Sequence, residues 1–472
     1  MKKLNQLLPK LSLYDTTGLS RSVRRSLMMM IVGVVFGNVS FPITGGTALT
    51  GYIKALGASD FVYSLLMAAP FVSKFMQLVA SYVLEKTQKR RQLMLYIGLF
   101  ARLMWVPVAL VPYFVPASEA MIRIWAILVL VLLLSCLSAF IDVSFNSVIA
   151  DIVPIGIRGR DFAARQRCMM VSGILSGFVI SWILDTFTAG GSLVGYTIVF
   201  IIAGIFGAID VACFIWVDFP AMKKPDPAEK KESMFSMMGE VLHNKRYMRL
   251  IVLVTIWTFS VNVAAPFYNV HMIGPMQMTY TEVNILSVII SNAATLIFSG
   301  MWGGLMDRYG NKSVLRVFTV LAALLPLLWI PTGPRIIFMV PVVQFLSGMI
   351  WPGVDLSLQN LYLNHAPEKN RTMYFAMYFC ITQMIGVSFG YTVGGWLVDN
   401  VFLGLSEQLK FTLFGFEFNQ YQFIFQLSGL LRLAVSLLLL RFMPDSEGDA
   451  KPFAMLRDIC RHGISGKRGL KA

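Results

Sequence analysis

Apolar runs of about 20 residues recur along the whole sequence, separated by short polar segments. A helix of that length crosses a hydrocarbon core of about 30 Å, so each run predicts a transmembrane helix. The pattern predicts an all-α membrane protein with twelve spans. Their predicted bounds are 27–48, 61–84, 93–113, 122–149, 168–187, 193–217, 250–270, 283–305, 314–331, 336–363, 373–398 and 421–443.

The composition agrees with a multi-pass membrane protein. Of the 472 residues, 56% are hydrophobic and 14% are charged, against about 25% charged residues in soluble domains. The five cysteines are scattered without paired spacing, so we expect no disulfide, no metal site and no cofactor. The basic start lacks a small-residue cleavage site, and we expect it to be retained as a cytoplasmic segment.

The cations are distributed unevenly between alternate loops. The segments on the same side of the membrane as the two termini carry 33 of the 40 Lys and Arg residues. The loops on the opposite side carry 4, and the other 3 lie inside spans. By the positive-inside rule, both termini are expected in the cytoplasm and the chain in the plasma (inner) membrane. The net charge of +15 then reflects topology and contact with anionic membrane lipids, and no nucleic-acid partner is expected.

The second half of the sequence repeats the first. At an offset of 213 residues, Asp142 and Arg158 recur as Asp355 and Arg371. A repeat of this length with six spans in each copy predicts two pseudo-symmetric six-helix bundles in the same orientation. The predicted division is a basic segment at 1–26, a bundle at 27–217, a cytoplasmic linker at 218–249, a bundle at 250–443 and a basic tail at 444–472.

One loop carries a recognisable motif. Residues 303–315 read GGLMDRYGNKSVL, which resembles the G-x-L-x-D-R-x-G-x-[KR]-x-x-L signature of the major facilitator superfamily. Residues 81–93, SYVLEKTQKRRQL, are a degenerate first-half counterpart, and Asp151 with Arg158 resembles the E-x6-R element of the family. The resemblance implies a twelve-helix, prokaryotic-type transporter, of no identified subfamily, that works by rocking of two bundles around a central cavity.

These loop residues are expected to form a cytoplasmic gate. Carboxylates facing Arg or Lys of neighbouring helices make charge-assisted hydrogen bonds of about 1.5 to 3 kcal/mol, which would favour the closed state without touching substrate. The alternative is that the charges only keep short loops out of the membrane. The predicted gate comprises Asp307, Arg308, Gly310, Lys312, Glu85, Arg90, Asp151, Arg158 and Arg371.

Charged residues inside spans should face a cavity or a partner, because each costs about 2.5 to 3.5 kcal/mol at mid-bilayer. Arg102 and Asp142 have similar predicted depths, which predicts an ion pair that is either structural or part of a substrate or proton path. Asp142 and Asp355 are the expected coupling carboxylates, although symmetry also suits a packing role. The candidates for coupling or substrate binding are Asp142, Arg102, Asp355, Arg432 and Lys74, of which Lys74 and Arg432 alternatively reach lipid headgroups.

Polar residues within spans are candidates for lining a cavity. Asn38 and Asn262 each precede a proline by four residues, so their amides either satisfy the backbone at a kink or contact a ligand. Trp257, Trp351 and Tyr378 are aromatic candidates. The polar candidates are Asn38, Asn262, Tyr268, Gln359 and Gln383.

The pattern as a whole predicts a secondary transporter for a small organic solute, coupled to protons by symport or antiport and monomeric. No nucleotide-binding loop is present, and no residue constellation suggests an enzyme. Three alternatives stay open at this point. They are a symporter for a sugar or similar polar nutrient, an exporter of an amphipathic compound or lipid, and a scaffold or sensor that transports nothing.

Overall fold

The computed structural model describes residues 19–220, 234–334, 336–368, 370–410, 412–413 and 416–442. Most of the predicted basic segment, the centre of the predicted linker and the predicted tail lie outside these residues. Twelve helices within the described part are long and apolar enough to cross a membrane. The predicted all-α fold with twelve spans is therefore confirmed.

The first six spans are built mostly from helices that continue past the apolar runs. Span 4, predicted at 122–149, extends over Ala117–Ile152. The helical segments are Arg21–Val39, Phe41–Thr44 and Thr47–Ala55 (span 1); Asp60–Val72, Ser73–Phe75 and Met76–Thr87 (span 2); Arg90–Gln92, Leu93–Ile97, Gly98–Leu103 and Trp105–Phe114 (span 3); Ala117–Glu119 and Ala120–Ile152 (span 4); Arg158–Phe187 (span 5); and Val194–Cys213 and Phe214–Trp216 (span 6).

The last six spans follow a short helix, Met234–His243. The only strands in the described part form one antiparallel pair, Thr412–Leu413 with Phe416–Glu417. The helical segments are Lys245–Asn262 and Phe267–Ile273 (span 7); Tyr280–Val283, Asn284–Ile289 and Ile290–Tyr309 (span 8); Asn311–Leu324 and Leu325–Trp329 (span 9); Met339–His365 (span 10); Arg371–Ile381, Thr382–Ser388, Phe389–Leu397, Val398–Phe402 and Leu403–Leu409 (span 11); and Gln420–Phe442 (span 12).

The described chain divides into two compact units. Unit 1 contains residues 19–220 and 279–284, and unit 2 contains residues 234–278 and 285–442. Each unit has its own buried apolar core. Met30, Ile141 and Phe214 belong to the core of unit 1, and Trp302 and Phe318 belong to that of unit 2.

In unit 2, span 11 packs closely against span 7 along a row of glycines. A Cβ on Gly386 would lie 2.8 Å from the Thr258 side chain, and a Cβ on Gly394 would lie 2.0 Å from the carbonyl oxygen of Val263. Span 11 also widens into a π-helix at Thr382–Ser388, a feature that often marks functional sites. The close approach and the π-helix together position the side chains that line the cavity of unit 2.

Candidate functional site

Unit 1 contains a polar cavity of about 400 Å³ between spans 1, 3, 4, 5 and 6. Two carboxylates and one guanidinium face it, and each has an ionic partner within unit 1. The lining residues are Val34, Gly37, Asn38, Ser40, Phe41, Thr44, Met94, Arg102, Ile141, Asp142, Phe145, Met169, Asp210, Val211 and Phe214.

Asp142 of span 4 is held by two side chains of span 2. Its Oδ2 accepts from Lys74 Nζ at 2.9 Å and from Gln77 Nε2 at 3.1 Å. The Lys74 and Asp142 side chains are 41% and 43% exposed, so the pair borders the cavity and is not sealed in the core. Lys74 therefore neutralises Asp142 inside unit 1.

The predicted Arg102 to Asp142 ion pair is wrong, because Arg102 pairs with Asp210 of span 6. Arg102 Nη2 lies 3.3 Å from Asp210 Oδ2. Span 3 packs against span 6, where Gly207 leaves room for the Arg102 methylenes: a Cβ there would lie 2.9 Å from Arg102 Cδ. The predicted depths of Arg102 and Asp142 in the membrane gave no information on this contact, because the space beside Gly207 depends on how spans 3 and 6 pack.

Unit 2 contains a second cavity of about 490 Å³ between spans 7, 10 and 11. Its lining side chains follow one face of each helix; Trp351, Asp355, Gln359 and Tyr362 of span 10, for example, are three or four residues apart. The lining residues are Val254, Trp257, Thr258, Val261, Asn262, Trp351, Asp355, Leu358, Gln359, Tyr362, Tyr378, Phe379, Thr382, Gln383 and Val387.

Aromatic rings form much of the wall of the unit 2 cavity. The Tyr362 and Tyr378 ring centroids are 4.6 Å apart, and those of Trp257 and Trp351 are 6.4 Å apart. The rings come from three different spans, so they surround the cavity from several sides. This arrangement suits a ligand with a flat apolar part.

Asp355 is the one carboxylate that lines the unit 2 cavity. In contrast to Asp142, its repeat equivalent, Asp355 has no ion pair and no hydrogen bond with any residue in the described ranges. No Lys, Arg or His lines the cavity with it. The two halves thus carry the same acid at equivalent repeat positions, but within the described residues only the first half supplies a lysine for it.

Arg432 does not line this cavity. Its Nη1 donates to the carbonyl oxygen of Ala322 at 3.1 Å, and its guanidinium carbon lies 5.6 Å from the Trp351 ring centroid. Arg432 occupies the position of Gly207, at the offset of 225 residues that relates Gly204 to Gly429. Each unit therefore places one arginine between equivalent helices, from span 3 in unit 1 and from span 12 in unit 2.

The other predicted lining residues divide between cavity and packing. Gln359, Gln383 and Asn262 line the unit 2 cavity, and Asn38 lines that of unit 1. Tyr268 is not among the lining residues and instead stacks on a neighbouring phenylalanine ring, with centroids 4.2 Å apart.

The two asparagines do not repair the proline kinks through their amides. Asn38 Nδ2 donates to the carbonyl oxygen of Met169 in span 5 at 2.7 Å, and Asn262 Nδ2 donates to that of Thr258 at 2.7 Å. A proline four residues further on frees the asparagine's own carbonyl, which neither bond satisfies. Asn38 therefore ties span 1 to span 5, and Asn262 braces its own helix beside the cavity.

The predicted gate contains two equivalent turns. Gly310 separates spans 8 and 9 with φ +82° and ψ 154°, a conformation almost confined to glycine. Its first-half counterpart, Gln88, has φ 58° and ψ 14°, the left-handed helical region that other residues can adopt. The first half therefore keeps a left-handed turn without glycine because its backbone takes a different left-handed conformation.

Arg90 is a buried gate residue with several bonding partners. Its side chain is 3% exposed and pairs with Asp151 at 2.6 Å. It also donates to Ser147 Oγ at 3.1 Å and to the carbonyl oxygen of Pro220. Arg90 thus joins the start of span 3 to the end of span 4 and to the segment after span 6. Its counterpart Lys312 is likewise 3% exposed.

Arg158 and Arg371 make equivalent contacts in the two halves. Arg158 donates to the carbonyl oxygen of Ala150 at 3.1 Å, and Arg371 donates to that of Leu363 at 2.8 Å. In both halves the acceptor lies eight residues before the arginine, across the loop between two spans. In each half, this hydrogen bond connects the two ends of the loop.

The remaining gate residues, Glu85, Asp307 and Arg308, lie in the last turns of spans 2 and 8. Glu85 and Asp307 are exposed, and neither forms an ion pair with a residue in the described segments. Arg308 lies over the Tyr309 ring, 5.3 Å from its centroid. Of the predicted gate pairs, the structure brings together Arg90 and Asp151.

The profile of the Major Facilitator Superfamily matches residues 26–391 and 259–468 of this sequence. The chain belongs to the Major Facilitator Superfamily. No curated protein sequence matches it. The superfamily consists of membrane transporters, so the chain is a multi-pass membrane protein of a transporter family.

Solved structures of superfamily transporters share the fold. The nucleoside transporter NupG has a TM-score of 0.65 at 13% identity and covers 89% of this chain and 99% of its own. The D-xylose-proton symporter has a TM-score of 0.62 at 15% identity and covers 90% and 98%. A bacterial homolog of the human lysosomal transporter Spinster has a TM-score of 0.64 at 12% identity and covers 93% and 98%. At these identities the likeness shows the fold.

Sequence reasoning missed a buried ion pair at the start of span 5 in this superfamily member. Arg165 Nη2 lies 2.7 Å from Asp161 Oδ2, and the two side chains are 5% and 0% exposed. Their spacing of four residues on a helix was the available signal. It also missed Tyr362, whose place on the same helical face as Asp355 was readable from the sequence.

Proposed function

We propose that this protein is a secondary transporter that moves a small organic solute by alternating access and couples that movement to protons. The observation that carries the proposal is the contrast between the two repeat-related carboxylates. Asp142 is paired with Lys74 at 2.9 Å, whereas Asp355 faces the unit 2 cavity without an ionic partner in the described residues.

An unpaired carboxylate within a span is costly, by about 2.5 to 3.5 kcal/mol at mid-bilayer. A proton removes that cost when water leaves the cavity, and hydration restores the charge when water returns. Asp355 is therefore suited to take up and release a proton as the cavity opens and closes. Asp142 is less suited, because Lys74 Nζ at 2.9 Å already supplies its ionic partner.

The relatives support both parts of the proposal. One similar structure is that of a D-xylose-proton symporter and another is that of a nucleoside transporter. The cavity of about 490 Å³ in unit 2 has the volume of a site for a small organic molecule. The uneven distribution of Lys and Arg supports a plasma-membrane location with both termini in the cytoplasm.

The test uses the purified full-length chain in proteoliposomes that enclose a pH-sensitive dye. Sugars, amino acids, organic acids, nucleosides and aromatic amines are added one at a time without an imposed ion gradient. We expect at least one class to evoke proton movement that is absent from protein-free liposomes. Uptake of a labelled solute without proton movement would contradict the coupling. If no solute crosses the membrane or shifts the thermal stability of the protein, the transport proposal itself is contradicted in favour of a scaffold.

A further inference from the structure

We propose that the unit 2 cavity binds a protonated aromatic amine, with the ammonium group on Asp355 and the ring against the aromatic wall. This inference deepens the proposed function by naming the substrate class of the same site. Asp355 is the one carboxylate among the lining residues, and no Lys, Arg or His lines the cavity with it. A cation that enters this cavity meets an acceptor that no described residue already occupies.

The aromatic residues supply the second element of recognition. Trp351 lies one helical turn before Asp355, and Tyr362 lies two turns after it on the same span. Trp257 and Tyr378 approach from spans 7 and 11. A cation within about 6 Å of the Trp257, Tyr362 or Tyr378 ring face is stabilised by its negative electrostatic potential. Trp351 already lies against the Arg432 guanidinium, so its role is to stack on a flat apolar group.

Amide side chains add acceptors around the carboxylate. Gln359 and Gln383 line the cavity beside Asp355. The Asn262 amide nitrogen already donates to Thr258, so its Oδ1 is the group that remains to accept. A primary ammonium has three donors, which one carboxylate and neighbouring amide oxygens can share. A neutral alcohol of the same shape offers a single donor and no charge.

The unit 1 cavity provides an internal comparison. Its acids Asp142 and Asp210 are each paired, with Lys74 and Arg102 respectively. A cation there would compete with a built-in lysine or arginine, so no preference for amines is expected at that site. The arginine nearest to the unit 2 cavity, Arg432, is turned towards backbone carbonyls and lies against Trp351.

Competition between proton and amine follows from the shared carboxylate. A proton on Asp355 removes the charge that holds the ammonium, and a bound ammonium opposes protonation. The other titratable groups that line the cavity are the phenols of Tyr362 and Tyr378, which stay neutral at ordinary pH. Amine and proton are therefore expected to exchange for each other and not to travel together.

The experiment measures equilibrium binding to the detergent-purified full-length chain by calorimetry. The probes are 2-phenylethylamine, its neutral analogue 2-phenylethanol and the anion 3-phenylpropanoate. We expect the amine to bind at least about tenfold more tightly than the alcohol, in line with a charge-assisted hydrogen bond, and the anion most weakly. Acidification should weaken binding of the amine and leave that of the alcohol unchanged.

The variants separate recognition from folding. Asp355→Asn should bind amine and alcohol equally, Asp355→Glu should keep the preference, and Lys74→Met/Asp142→Asn should match the wild type. Equal binding of amine and alcohol by the wild type, an unchanged preference in a folded Asp355→Asn variant, or no binding of any probe would overturn the inference. If the amine preference fails while solutes still evoke proton movement, only the assignment of an amine substrate is overturned. If the amine binds as expected but no solute evokes proton movement, only the proton coupling is overturned.

Discussion

Lys74 Nζ lies 2.9 Å from Asp142 Oδ2, and the equivalent acid of the second half, Asp355, has no such partner in the described residues. The two copies of the sequence repeat thus differ at one carboxylate, which is paired in the first copy and unpaired in the second within the described residues. We therefore assign the proposed proton and ligand contacts to Asp355 and a structural role to the Lys74 to Asp142 pair.

The Lys74 to Asp142 pair should contribute to stability and not to coupling. Lys74→Met leaves Asp142 without its ammonium partner and should lower the free energy of unfolding by about 1 kcal/mol or more, a modest value because both groups are partly exposed. Lys74→Met/Asp142→Asn should recover most of that loss. The measurement is thermal unfolding in detergent, and a double variant less stable than the single one would argue against the pair.

Exchanging the residues of the two gate turns, Gly310 and Gln88, should change the stability of the protein in different ways. Gly310→Gln places a side chain in a backbone conformation almost confined to glycine and should cost about 1 to 3 kcal/mol. Gln88→Gly removes a side chain from a left-handed position that glycine adopts freely, so stability should stay the same or rise slightly. Thermal unfolding of both variants decides the point, and equal losses would contradict the assigned backbone conformations.

Arg90 of the gate should contribute more to stability than its exposed neighbour Arg91. Arg90→Met removes a buried guanidinium that bonds Asp151, Ser147 and a backbone carbonyl, and should cost about 1 to 3 kcal/mol. Asp151→Asn keeps an acceptor for Arg90 and should cost less. Arg91→Met, a neighbour with an exposed side chain, is the matched control. Equal unfolding temperatures for the Arg90 and Arg91 variants would contradict this assignment.

The glycine row of span 11 should tolerate no added methyl group at its tightest point. In Gly394→Ala the new Cβ would meet the Val263 carbonyl oxygen at 2.0 Å, so spans 7 and 11 must separate, at about 1 to 3 kcal/mol. Gly404→Ala, where no atom lies within 4 Å of the added Cβ, should leave the unfolding temperature unchanged. Similar shifts for both variants would show that the helices do not pack this closely.

The fold was largely readable from the sequence, because membrane insertion leaves few solutions for twelve apolar runs. The internal repeat and the residues of the unit 2 cavity were also readable, since side chains on one face of a helix recur every three or four positions. The ionic partners of Arg102 and Asp142 were not. Arg102 pairs with Asp210 because Gly207 leaves space for its side chain. Gln88 adopts a left-handed turn at a position that the motif assigns to glycine. Both features depend on local packing, which the spacing of residues along the sequence does not predict.

The most direct test of the account compares proton movement and solute exchange in Asp355→Asn proteoliposomes. With a solute that evokes proton movement in the wild type, the variant should lose that proton movement. It should keep exchange of labelled for unlabelled solute, at a solute concentration raised to offset the weaker binding of an amine without the Asp355 carboxylate. Lys74→Met/Asp142→Asn should retain both activities. Proton movement of wild-type size in the Asp355→Asn variant would contradict the assignment of Asp355 as the coupling carboxylate.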